Sequence, residues 1–327
     1  MTVIRKAIFA VLVSSAIVSG TELALRVFVP YDALLFTWEQ RDGPLIKVKG
    51  RMLPRVGDHP PRMDGAVVWR EHINHQTFRE SADTPAQKAP STYRILALGD
   101  SWMYGISVDQ GYTLPDELER RLTATRGQPV EVINAAVPSF SAFDMLWRWH
   151  QLSETLEFDG LLLGSPHNLD VEAAREGERS AWYGAVDAGD PIDLRSYLVL
   201  RLLLMRMRAP RYAIPPDLAS PIDATRADIL AIVNDARARS LPVWFVAYAN
   251  EYSGSTPPPA AFEMWRSSLA ALGVAVAGHG MRDRACWGQV DTAHPSVSGS
   301  RAIAAVVAPI IEGKPGASTW CETPACE

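Results

Sequence analysis

The chain has 327 residues, of which 47% are hydrophobic and 21% charged; this marks a globular protein able to bury a substantial core and excludes a disordered one. Its 32 basic residues against 37 acidic ones leave a net charge of −5, so nucleic acid is set aside as a partner.

Residues 1–29 differ from the rest. Arg5 and Lys6 precede an apolar run from Ala7 to Val18, broken only by Ser14 and Ser15, which is the basic-then-apolar order of an export signal. The run is short against the roughly 20 apolar residues of a spanning helix, yet apolar character resumes after Glu22 in "LALRVFVP". Two outcomes are open: cleavage near Val18-Ser19-Gly20, giving a secreted protein, or retention as a membrane anchor with its basic end in the cytoplasm. Both place the remainder outside the cytoplasm, in the periplasm or beyond. Cys286, Cys321 and Cys326 are too few and too far apart for a structural zinc site. An oxidising compartment permits a disulfide between Cys286 and one of the tail cysteines, with one thiol left over.

Residues 30–92 are rich in Pro, Gly and charge, without sustained periodicity, and read as a connecting segment. Regular alternation spans 93–313. "YRILALG" is a short apolar run stopped by glycine, expected as a strand buried on both faces. "LPDELERRLTATRG" follows as a helix with Leu114, Leu118 and Leu122 on one face and Gly127 as its stop. "VEVINAAV", "GLLLG", "PVWFVAY" and "VAVAG" read as further strands. "AFDMLWRWHQLSETL", "ATRADILAIVNDARARS" and "PPAAFEMWRSSLAALG" read as helices between them. A last helix starts near Ser298 and puts Ile303, Val306, Val307, Ile310 and Ile311 on one face. This order argues for an α/β protein with a parallel sheet of about five strands, covered on both sides. An insertion over about 171–222, with "RSYLVLRLLLMRMRAPR" inside it, interrupts the alternation; it reads as an extra helix, a lid or a lipid-facing surface. Residues 314–327 form a tail.

Ligands of an open parallel sheet bind beyond the carboxyl ends of its strands. There stand Gly99-Asp100-Ser101, then Asn134-Ala135-Ala136, then residues 164–168, and, before the last helix, "VDTAHPSVSG". A serine hydroxyl needs a base to take its proton, and the base needs a third group to orient it. Asp291 and His294 have the right types and spacing for the carboxylate to meet Nδ1 while Nε2 faces Ser101. Pro295 holds His294 extended.

Taken together, "GDSWMYG" and "DTAHP" resemble the first and last motifs of the SGNH (GDSL-type) hydrolases, and the likeness runs in motif order from Tyr93 to Ile311. It implies a flavodoxin-like three-layer sandwich with Ser101 as nucleophile and Asp291 and His294 completing the triad. "VINAAVPSFS" is similar to the second motif, with Ala136 in place of the oxyanion-hole glycine. "LLLGSPHNLD" is similar to the third and implies Asn168 as a side-chain oxyanion donor, beside the N–H groups of Ser101 and Ala136. Here Asn168 is followed by Leu169 where the family has Asp, and Pro166-His167 lengthens its approach. "NHQTFRES" and "TELALRVFVP" resemble segments of membrane-anchored members, Thr77 replacing a glycine, and this implies retention of the N-terminus. The reaction implied is ester hydrolysis through an acyl-enzyme, on a small-molecule, glycan or lipid ester. The same triad would serve O-acyl transfer to an exported polysaccharide, and the altered middle motifs leave a non-catalytic glycan or lipid binder as a third reading. No Gly-x-Ser-x-Gly elbow, phosphate loop, dinucleotide fingerprint or paired-histidine metal spacing is present, so neither cofactor nor metal is expected.

Overall fold

The structure, a computed structural model, describes residues 3–28, 45–48, 51–59, 61–64, 66–138, 140–166, 221–249, 258–280, 284–287, 294–314 and 320–321. They fall into two compact units. The first holds helix α1 (Val3–Phe28) and an antiparallel pair, β1 (Leu45–Val48) with β2 (Arg51–Pro54). Along α1 the apolar side chains of Phe9, Ile17, Leu23 and Val27 are exposed, and Arg26 pairs with Glu22 one turn back at 2.7 Å. Among the described residues no helix is long and apolar enough to cross a membrane.

The second unit begins with short antiparallel pairs: β3 (Gly57–Asp58) with β6 (His72–Ile73), and β4 (Arg62–Asp64) with β5 (Val67–Trp69). The main sheet follows, built from β7 (Tyr93–Leu98), β8 (Val130–Asn134), β9 (Gly160–Gly164), β10 (Val243–Ala249), β11 (Ala275–Gly280) and β12 (Trp320–Cys321). All pairings are parallel, in the order β12-β11-β10-β9-β7-β8. Five of these strands are those read from apolar runs; the sixth is a two-residue strand from the tail. Ile95 to Leu98 and Leu161 to Leu163 are buried, as expected of strands with covered faces.

Helices α2 (Ser101–Tyr104), α3 (Leu114–Arg126), α4 (Ala142–Leu152), α5 (Pro221–Ala238), α6 (Pro258–Ala270) and α7 (Val297–Ile311) connect the strands. Their starts are written locally. Thr113 with Asp116, and Ser141 with Asp144, form capping boxes, while Ser296 accepts from the Gly299 N–H at 3.2 Å. From β7 the chain steps through α3 to β8 on one side and then through α4 to β9 on the other. Right-handed crossovers therefore put α3 and α4 on opposite faces, where α3 packs with α7 and α4 with α5. The result is the expected three-layer α/β sandwich, and its switch point lies between β7 and β9.

β8 forms one edge of the sheet, and side chains close its free side. Thr123 accepts from the Val130 N–H at 3.2 Å, Glu119 from Val132 at 3.0 Å and Glu80 from Asn134 at 2.7 Å; such capping keeps an edge from pairing with another chain. Glu80 comes from the stretch that the sequence suggests is a connecting segment. From Val56 onward the described residues of that stretch belong to the sheet's compact unit, with Phe78 and Arg79 each only 1% exposed. The 171–222 insertion lies outside the described residues up to Pro221, where α5 begins.

Candidate active site

Ser101 is the first residue of α2, one turn long, which starts two residues after β7 ends. Asp100 is its N-cap and spends its carboxylate on the Trp102 N–H at 3.0 Å, an ordinary way to satisfy a first-turn donor. Gly99 is required by closeness: a Cβ there would sit 2.5 Å from Met103 Cβ and 3.8 Å from Gly164 Cα. The turn is therefore pressed against the ends of β7 and β9, at the switch point where an open sheet binds ligands. Ser101 itself is 8% exposed.

His294 approaches from the far end of the sequence, just before α7. Its Nε2 lies 2.8 Å from Ser101 Oγ across a separation of 193 residues. Neighbouring bonds fix the backbone around it. Ser296 donates its N–H to Cys286 O at 2.8 Å and its hydroxyl to Ala285 O at 2.7 Å, and Trp287 bridges to Pro295. Trp287 also meets Trp102 edge to face, with centroids 5.3 Å apart, so an aromatic contact joins the serine turn to the histidine segment beside the Ser101–His294 pair. Cys286 is buried and disulfide-bonded, as the cysteine count suggests; the side chains of Cys321 and Cys326 lie outside what is described.

Ala136 follows β8 in the position expected. Ala135 N–H donates to Ala97 O and Val137 N–H to Gly99 O, each at 3.1 Å, so the chain at Ala136 runs alongside the residues leading into Ser101. Among the described residues neither the Ala136 N–H nor the Ser101 N–H is given to a protein acceptor. Asp291, Asn168 and His167 lie outside the described residues.

Sequence reasoning missed a set of residues behind the serine turn. Arg79 donates to the carbonyls of Tyr104, Gly105 and Val108, and Asn134 Nδ2 donates to Tyr104 O at 3.2 Å. The Tyr104 hydroxyl donates to Glu71 at 2.8 Å, and His59 Nδ1 is 2.6 Å from the other oxygen of that carboxylate. Next to Asn134, burial raises the Glu80 carboxyl to about 8, against the pull of the Asn134 N–H and helped by Asp116, Glu119 and Glu131. Burial likewise lowers the Arg148 guanidinium to about 10. The signal was in "NHQTFRES", but a buried cation in a polar stretch has no periodicity to betray it.

No protein-family model and no curated protein matches the chain. Solved structures do resemble it at low identity. TesA is 15% identical over 67% of this chain and 98% of its own, with a TM-score of 0.42. The psychrotrophic esterase EstA from Pseudoalteromonas sp., solved with monoethylphosphonate inhibition, is 16% identical over 67% and 97%, at 0.40. AlinE4, an SGNH-hydrolase family esterase, is 15% identical over 58% and 77%, at 0.36.

Proposed function

We propose that this chain is a serine ester hydrolase of the SGNH type, acting through an acyl-enzyme. The observation that carries the reading is the 2.8 Å approach of His294 Nε2 to Ser101 Oγ, within the reach that base-assisted attack requires. His294 takes the hydroxyl proton as Ser101 Oγ adds to the ester carbonyl. The developing oxyanion is received by the N–H groups of Ser101 and Ala136, both without a protein acceptor among the described residues, with the Asn168 amide as third donor. Collapse of the intermediate expels the alcohol, to which His294 returns the proton. Water then adds to the acyl carbon with His294 again as base, and Ser101 leaves as the free hydroxyl. Asp291 is assigned to His294 Nδ1, where it would hold the tautomer that keeps Nε2 free to accept.

We place the catalytic unit outside the cytoplasm. The disulfide at Cys286 supports an oxidising compartment, and Arg5 and Lys6 at the start of α1 suit an export or anchoring segment. The substrate class is a small-molecule, glycan or lipid ester.

The direct test is intact-protein mass spectrometry after exposure to a fluorophosphonate, together with hydrolysis of p-nitrophenyl acetate. The wild type gains one phosphonyl group on Ser101. Ser101→Ala gains none and loses roughly 10⁴-fold or more in kcat; wild-type hydrolysis by this variant would sink the assignment. Asn168→Ala is expected to lose about 10² to 10³-fold.

A further inference from the structure

Arg79 is 1% exposed, and among the described residues no carboxylate pairs with it. A guanidinium taken out of water without a counter-ion is costly unless other acceptors replace its hydration. Here the acceptors are main-chain carbonyls. One terminal nitrogen donates to Tyr104 O at 3.0 Å and to Gly105 O; the other donates to Val108 O and, at 3.4 Å, to Arg70 O. The cation also stacks over the Tyr104 ring, 5.0 Å from its centroid, and 5.6 Å from that of Trp69. All but one of these carbonyls belong to the end of α2 or to the loop just after it.

That placement bears on Ser101. With four residues, α2 is too short to hold itself by its own hydrogen bonds, and its last carbonyls have no partner in the turn. Gly105, in the left-handed region at φ 88°, returns its N–H to Ser101 O and closes the turn. Arg79 donates to the Tyr104 and Gly105 carbonyls, the first shared with Asn134 Nδ2, and puts positive charge at the negative end of the turn. Its own position is fixed from behind: Asn74 Oδ1 accepts from the Gln76 and Phe78 N–H groups, Thr77 turns the chain at φ 62°, and the Arg79 N–H donates to Asn134 O at 3.0 Å. The bracket thus runs from the edge strand to the serine turn through Arg79, beside the Asn134 amide, whose Nδ2 donates directly to Tyr104 O at 3.2 Å.

We propose that Arg79 is a positioning residue for Ser101. By holding the carbonyl end of α2 it fixes the rotation of that turn, and so the direction of Ser101 Oγ toward His294 Nε2. The proposal rests on Ser101 being the nucleophile.

The experiment uses the full chain as wild type, Arg79→Ala and Arg79→Lys, below the melting temperature of all three. Readouts are kcat and KM for p-nitrophenyl acetate and the rate of fluorophosphonate labelling by intact mass. Arg79→Ala is expected to lose about 10²-fold in kcat and in labelling rate with KM within about twofold, because a misplaced reactive group costs rate before it costs binding. Millimolar methylguanidinium restores a large part of the loss, which a merely structural defect would not allow. Arg79→Lys loses about tenfold, since a compact ammonium cannot reach carbonyls on both sides of the turn. If Arg79→Ala does not fold, the lysine variant decides alone. A wild type that fails to label at Ser101 removes the nucleophile reading and this proposal with it. A wild type that labels, with a lysine variant that labels as fast, removes the role of Arg79 alone, as does an alanine variant that methylguanidinium leaves unchanged.

Discussion

Glu80 shows how one side chain can tie stability to pH. Its carboxyl closes the sheet edge by accepting from the Asn134 N–H at 2.7 Å, and burial raises it to about 8 from a reference value of 4.5. A carboxyl raised in the folded state is protonated there while its unfolded counterpart is already ionised, so folding takes up a proton between those two values. The stabilising contribution is complete below pH 4.5 and disappears as pH rises through about 8. Asp228, raised by burial and by Asp144 to about 6 from 3.8, has the same sign over a lower window. Glu80→Gln keeps the shape and an acceptor for Asn134 but cannot titrate. Urea midpoints measured from roughly pH 5 to 9, across most of this window and about one unit beyond its upper end, are expected to fall less steeply for the variant, which becomes the more stable of the two at the alkaline end. Parallel curves for the two proteins would show that Glu80 does not titrate between folded and unfolded states.

At the scale of elements, α2 depends on closeness more than on propensity. Its Met103 Cβ approaches Gly99 so nearly that an added methyl would lie at 2.5 Å, and neither partner is the far end of a flexible side chain. Gly99→Ala must therefore push the turn away from β7, at a cost of about 1–3 kcal/mol typical of overpacking, and Ser101 moves with it. On the proposed function, hydrolysis of p-nitrophenyl acetate is expected to fall by at least about tenfold, and more steeply than thermal stability, given how sharply rate depends on placement; equal hydrolysis at reduced stability would mean that the turn tolerates the shift. The longer elements were legible because each carries its own pattern: apolar runs for β7 and β9, a leucine stripe and a terminal glycine for α3, an apolar stripe from Ile303 to Ile311 for α7. Neither α2 nor the short pairs from β3 to β6 has room for a period, and contacts made elsewhere in the fold decide them. Ser101 and His294 were legible because a hydroxyl after a buried strand and an imidazole before the last helix have recognisable neighbours. Arg79 and Glu80 were not, since a charged pair in a polar stretch looks solvated until the sheet edge it closes is known.

For the whole molecule, the consequence of this topology is that the Ser101–His294 pair, the proposed reactive pair, is assembled from residues 193 apart in sequence, so whatever secures the C-terminal segment also secures that pair. The chain from Ala285 to Trp287 supports the chain from Pro295 to Ser296 by two hydrogen bonds and a strand bridge, and Trp287 reaches across to Trp102 on the serine turn. Cys286, in the middle of that support, is buried and disulfide-bonded. A crosslink restricts the unfolded chain and contributes typically about 2–4 kcal/mol, which for a protein of this size corresponds to a melting shift on the order of 3–6 °C. Reduction of the wild type is expected to lower its melting temperature by that amount and to slow fluorophosphonate labelling of Ser101 while the protein is still folded, because the histidine segment loses its tie before the sheet does. Cys286→Ser should melt where the reduced wild type melts and be indifferent to reductant. Calorimetry with and without dithiothreitol, beside labelling rates well below the transition, measures both effects. A reduced wild type that melts lower yet labels at its original rate would confine the disulfide to stability and leave His294 positioned by its hydrogen bonds and the tryptophan contact alone.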